Sequence, residues 1–212
     1  MSYTMSVDRV IQLARCDDFP EAKIREMFAQ HNATELPLEF LATLPIPLPV
    51  KVYLALQDEF FSEEEFRELS LAFAKRAASS HPAVESNHFV SSVISAYEQA
   101  LVQTRSPGHG VALHANIRQQ VEGYRGAVKA LLGPLTQALR NSNSNLNSNS
   151  NGTPLHTVAA YEAVWFAGYE HCGIACRNAA SCAVAAVPKV EADAALQYVL
   201  DNALAVTQAR AA

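Results

Sequence analysis

Three cysteines and a histidine fall within one short stretch of this sequence: His171, Cys172, Cys176 and Cys182. Thiolate and imidazole are good ligands for zinc or haem iron. Their spacing limits what they can do alone. On one helix, Cys172 and Cys176 are four apart and share a face, while His171 points about 100° away from Cys172. Cys182 lies roughly 9 Å further along the axis and about 240° round from Cys176. A complete ligand shell therefore needs side chains from another helix. A competing reading places the same thiols in a core. Val158, Tyr161, Trp165, Gly168, Cys172, Ala175, Cys176, Ala179 and Ala183 make one continuous stripe. Buried cysteine packs as a small hydrophobe, and Gly and Ala at this spacing admit a neighbouring helix. The core reading is the stronger of the two. A Cys172–Cys176 disulfide is disfavoured by helical geometry.

Glu85-x-x-His88, near Tyr97 and Glu98, is half of a di-iron carboxylate motif. Such a site needs a second copy and two further glutamates, and the sequence holds no second copy. With 15 Glu and 7 His in 212 residues, chance supplies one such spacing about half the time. His109 and His114, near Arg118, offer imidazole as a general base. No serine or cysteine elbow accompanies them, and His114 continues an apolar stripe, as a satisfied core histidine would. Tyr161, Trp165 and Tyr169 could line a cofactor cleft, although aromatic residues at helical spacing more often fill a core. The metal candidates are thus His171, Cys172, Cys176, Glu85 and His88, and the cofactor candidates are Tyr161, Trp165 and Tyr169. No phosphate loop, dinucleotide fingerprint, H-E-x-x-H or G-x-S-x-G is present. These motifs assign no catalytic residue and name no cofactor.

The elements that must position these residues are helices. Apolar side chains recur at three- and four-residue spacing from end to end. The first stripe is Val7, Val10, Ile11 and Ala14. Asp18 and Glu21 read as a capping box ahead of Ile24, Met27 and Phe28. A short helix is expected around Leu36, Phe40, Leu41 and Leu44. The alternating prolines of Leu44-Pro45-Ile46-Pro47-Leu48-Pro49 cannot continue a helix. Pro49 can open the next one, with Val52, Tyr53, Leu56 and Phe60 inward.

Ser62 and Glu65 form the strongest helix-start signal, and Phe66, Leu69, Phe73 and Ala77 follow on one face. His81-Pro82 ends that helix. Ser86 is placed to cap the next, whose stripe is Val90, Val93, Ile94, Tyr97 and Leu101. After the turn at Ser106-Pro107-Gly108, a long helix is expected over 110–140, kinked at Gly133-Pro134. The tract NSNSNLNSNSN offers nothing to bury, so 141–152 is expected to be a disordered loop. A long helix is then predicted from Thr153-Pro154 to about Ala186, with Trp165 in the core. A final helix spans about 190–209, with Glu191 and Asp193 at its start and Arg210 at its end, as the macrodipole prefers.

The predicted fold is all-α: eight or nine helices in an antiparallel bundle or an irregular α-solenoid, with no significant sheet. It is expected as a single domain over 1–212, with 1–48 as a separable N-terminal subdomain. Half the residues are hydrophobic, enough for a sizeable core. The formal net charge of −5 lies in the N-terminal half, and no basic patch exists for a phosphate backbone. No uninterrupted apolar run reaches membrane-spanning length. No basic leader precedes an apolar run. With three of four cysteines on one predicted helix, these features point to a cytoplasmic chain.

Three functions follow. The leading expectation is a non-enzymatic helical interaction protein that engages a protein partner or a second copy of itself. The alternatives are a metal- or cofactor-binding helical protein using His and Cys side chains, and a small-molecule-binding bundle. Neither nucleic acid nor membrane is an expected partner.

Overall fold

A computed structural model describes residues 4–14, 20–104, 154–168 and 171–210, together with the isolated positions 119, 123, 126, 127 and 130. The expected turn at 106–108, the Asn/Ser loop at 141–152, and Cys16, Asp18, His109, His114 and Tyr169 lie outside the described residues, as does the helix expected over 110–140 apart from those isolated positions.

The all-α expectation holds. Among the described residues there are ten α-helices and one two-stranded sheet. In chain order they are β1 (Thr4–Ser6), α1 (Val7–Ala14), α2 (Glu21–Ala29), β2 (Glu35–Pro37), α3 (Leu38–Leu41), α4 (Leu48–Ala55) and α5 (Glu63–Ser79). Then come α6 (Pro82–Glu85), α7 (His88–Thr104), α8 (Pro154–Ala167), α9 (Cys172–Ala185), a 3-10 turn (Lys189–Glu191) and α10 (Ala192–Ala209). The chain forms two compact units, Met1–Glu65 with Leu196–Ala212, and Phe66–Ala195.

In the first unit, α1 buries Val10, Ile11 and Ala14, and α2 buries Ile24, Met27 and Phe28, as their stripes require. Asn32 ends the α2 segment in the left-handed region at φ 49°. The Ala33 amide then reaches the Phe28 carbonyl, and the Asn32 amide reaches Ala29. This is the Schellman closure with asparagine in place of glycine. Leu36 departs from its expected helix. It sits in β2 opposite Met5 of β1, and both are buried. Pro37 explains the switch, because the residue before a proline is pushed to extended backbone. The proline run breaks the chain as expected, and α4 opens with proline in its first turn. Val52, Leu54, Ala55, Leu56 and Phe60 are buried, but Tyr53 is 48% exposed and is not part of the inward face. The Ser62–Glu65 box is formed in both directions: the Ser62 amide donates to Glu65 Oε2 at 2.7 Å, and the Glu65 amide donates to Ser62 Oγ at 3.3 Å.

In the second unit, α5 buries Phe66, Leu69, Phe73 and Ala77, as predicted. Val90, Val93 and Tyr97 of α7 are also buried. Asn87, not Ser86, caps α7. Its Oδ1 accepts from the Phe89 amide at 3.0 Å, while the Ser86 hydroxyl turns back to the Pro82 carbonyl. The largest correction concerns the last long helix. The segment from Pro154 to Ala185 is two helices, α8 and α9, packed closely against each other. Gly168 closes a turn, and His171 is extended at φ −87°, ψ 101°. Gly168 and Gly173 each weaken a continuous helix by about 1 kcal/mol relative to alanine. Folding back buries Ala159, Ala160, Ala163 and Ala167 of α8 and Ala175, Ala179, Ala180 and Ala183 of α9. Their small side chains let two backbones approach. The buried face of α8 is therefore set by Ala160, Ala163, Val164 and Ala167, and Trp165 is only half-buried.

Candidate functional site

The hairpin places the sulfur-bearing residues. His171 stands at the N-cap of α9 and is exposed. Cys172 and Cys176 share a buried face of α9, with Cys176 fully buried. Burial pushes the Cys176 thiol up to about 12. Ser70 of α5 is its hydrogen-bonding neighbour. The Ser70 hydroxyl donates to the Phe66 carbonyl at 2.6 Å, and its contact with Cys176 offsets only part of the effect of burial. Cys182 is half-buried, and burial with the nearby charge of Glu162 raises it to about 12. Thiols held neutral in this way are poor nucleophiles and poor metal ligands.

Glu85 and His88 do not share a helix turn. Glu85 ends α6, His88 begins α7, and both are exposed. Tyr161 is buried, and its hydroxyl accepts from Asn87 Nδ2 at 3.1 Å. Trp165 lies against Phe166, with ring centroids 4.6 Å apart. The five metal candidates are thus dispersed between the two exposed positions at 85 and 88, the α9 cap and its buried face. Among the described residues, no three His, Cys, Asp or Glu side chains converge to hold a metal ion.

Two arrangements escaped the sequence reading. The first is a cleft of about 440 Å³ in the first unit. Ile46, Leu48, Leu200 and Leu204 give it an apolar floor, and Glu39, Thr43, Lys51, Gln197 and Gln208 give it a polar rim. Pro45 and Pro47 keep the chain between α3 and α4 out of a helix, and the Ile46 amide bonds the Leu44 carbonyl in a tight turn at 2.8 Å. Lys51 Nζ donates to the Ala42 carbonyl at 2.7 Å, and Thr43 Oγ1 donates to Phe40 at 2.8 Å. The Lys51 bond thereby ties the C-terminal end of α3 to α4. Leu200 and Leu204 come from α10, about 150 residues later, so no local pattern announces the cleft.

The second is a histidine pair in the second unit. His81 Nε2 lies 2.6 Å from the Ala186 carbonyl, and His156 Nδ1 lies 2.8 Å from the Ala185 carbonyl. The two rings are 6.4 Å apart, with planes at 17°. His81 immediately precedes α6, and His156 lies in the first turn of α8. Their separation of 75 positions hides the pairing.

No protein-family model, no curated protein and no solved structure matches this chain.

Proposed function

We propose that this protein is a non-enzymatic binding module whose cleft takes an apolar side chain or two from a protein partner. The cleft carries the reading. Its volume falls in the range of binding pockets, roughly 300–1,000 Å³, and it is floored by leucine and isoleucine within a ring of hydrogen-bonding groups. Small-molecule sites enclose most of their ligand, whereas Glu39, Thr43, Gln197 and Gln208 leave this one open to solvent. An open apolar floor suits anchor residues projecting from a larger surface. Charge supports a basic partner segment. Residues 1–65 carry 12 Asp and Glu against 5 Lys and Arg, a balance that steers cations toward the unit.

The test is selection of displayed peptides on the intact chain, repeated on Leu204→Arg. Selected sequences are expected to pair one or two apolar anchors with basic flanks, and to lose at least tenfold in affinity on the variant. Peptides that bind both proteins equally would remove the cleft from the reading. Light scattering across a concentration series separates a second copy of this chain from a different partner.

A further inference from the structure

We infer that the cleft in the first unit takes its partner as a short amphipathic α-helix with basic flanks, an inference that rests on the reading of the cleft as a protein-binding site. Gln197, Leu200, Leu204 and Gln208 of α10 line it. At 100° per residue these four fall within about 80° of one another round the helix axis. From Gln197 to Gln208 the rise is roughly 16 Å. The cleft is therefore a trough along one face of α10, about as long as three turns of a second helix. Exposed Gln197 and Gln208 mark its two ends, and Leu200 and Leu204 lie between them.

Backbone hydrogen bonding favours a helix over an extended strand. A strand lying in the trough needs partners for its own amides and carbonyls. The α10 backbone offers no donor, because its amides from Gln197 to Gln208 are spent inside the helix. On the facing wall the amides of Ala42, Thr43, Ile46 and Lys51 already donate to carbonyls of this chain, and Pro45 and Pro47 carry no amide hydrogen. A helix arrives with its backbone already bonded, so only its side chains need room. Ile46, Leu48, Leu200 and Leu204 form an apolar floor for anchors at three- and four-residue spacing. The edge of the trough sets the charge of the flanks. Glu39 is an exposed carboxylate on one wall, and Gln197 Nε2 holds Asp201 at 2.7 Å on the other. Lys51, the cation in the lining, already donates to the Ala42 carbonyl. Lys or Arg at the ends of the partner helix would meet those two carboxylates.

Two display libraries are selected on the full chain, with counter-selection on Leu204→Arg and, because Leu204 is half-buried, on Thr43→Arg at the exposed rim. One library is an alanine-rich helical framework with one face varied. The other holds linear peptides with regularly spaced prolines, which cannot form a helix. Binders lost on both variants are expected from the helical library alone, with apolar residues three and four apart and Lys or Arg at the ends. A proline placed at the centre of such a binder should weaken it at least tenfold. Glu39→Lys, at an exposed position, should weaken it at least threefold with the melting transition unchanged. Cleft-dependent binders drawn equally from the proline library, or helical binders that keep their affinity with a central proline, would overturn the helix and leave the cleft standing. Unchanged affinity on Glu39→Lys would overturn the basic flanks. No cleft-dependent binder from either library would remove the cleft reading itself, and the helix with it.

Discussion

Arg210 grips both carboxylate oxygens of Glu65, Nε to Oε1 and Nη2 to Oε2, across 145 positions of sequence. Its Nη2 also donates to the Phe60 carbonyl at 2.7 Å, and its guanidinium lies 5.7 Å from the centre of the Phe61 ring. Glu65 is the same residue that closes the capping box with Ser62. One carboxylate thus joins a local start signal to the C-terminal end of the chain. Charge-assisted, two-pronged bonds of this kind are the stronger class. Replacing Arg210 by Ala should cost about 2 kcal/mol in chemical denaturation. Ser62→Ala should cost about 1 kcal/mol, the usual loss for a helix cap. A loss below about 0.5 kcal/mol for Arg210→Ala would mean the pair is no more than a surface ion pair.

The same carboxylate makes stability depend on pH. Burial raises the Glu65 pKa, but the bonds from Arg210 and Ser62 outweigh it, and the net shift is downward from 4.5. A carboxyl lowered by folding contributes fully above its unfolded value, and the contribution is lost as pH falls through the lower folded value. Wild-type stability should therefore drop on acidification below about pH 4.5, and part of that drop should be missing in Glu65→Gln. Parallel stability curves for the two proteins would show that other groups carry the acid sensitivity.

Cys176 should be inert in the folded protein. At pH 8 a thiol raised to about 12 is ionised in roughly one molecule in ten thousand, and it is fully buried besides. A short iodoacetamide pulse read by peptide mass spectrometry should label Cys176 only after denaturation. Rapid labelling in the native state would show that the α8–α9 hairpin opens.

Close approach of α8 and α9 rests on alanine. Ala163 and Ala179 are both fully buried, and a larger side chain has no room without displacing a helix. Ala163→Leu should cost about 1–3 kcal/mol by overpacking. Trp165→Ala should cost only about 1–2 kcal/mol, less than the 3–5 typical of a fully buried aromatic, because Trp165 is half-buried. The reverse order of these two losses would place the tryptophan, not the alanines, at the centre of the packing.

Leu204 is half-buried at the cleft. Leu204→Arg should leave the melting transition within a few degrees of wild type, since a shift of 2–4 °C corresponds to about 1 kcal/mol at this size. It should still weaken peptide binding at least tenfold. A variant that unfolds would make Leu204 a core residue rather than a cleft residue.

Periodicity alone determined that these segments are helices, and it placed most inward faces: Val10 and Ile11, Ile24 and Phe28, Phe66 and Phe73, Val90 and Tyr97. Helix-start chemistry is local too, so the Ser62–Glu65 box was legible four residues at a time. Three things were not. A stripe running through Gly168 and Cys172 looks the same whether the helix continues or folds back, and the choice was made by two alanine faces finding each other. Pro37 favours extended backbone at Leu36, but the pairing of Leu36 with Met5, some thirty residues away, left no local sign. The cleft, the Arg210–Glu65 fork and the His81–His156 pair each join residues 75 to about 150 positions apart. Local spacing records which side of a helix avoids water. Which partner covers that side, and which polar groups it brings, depends on how distant segments return to one another.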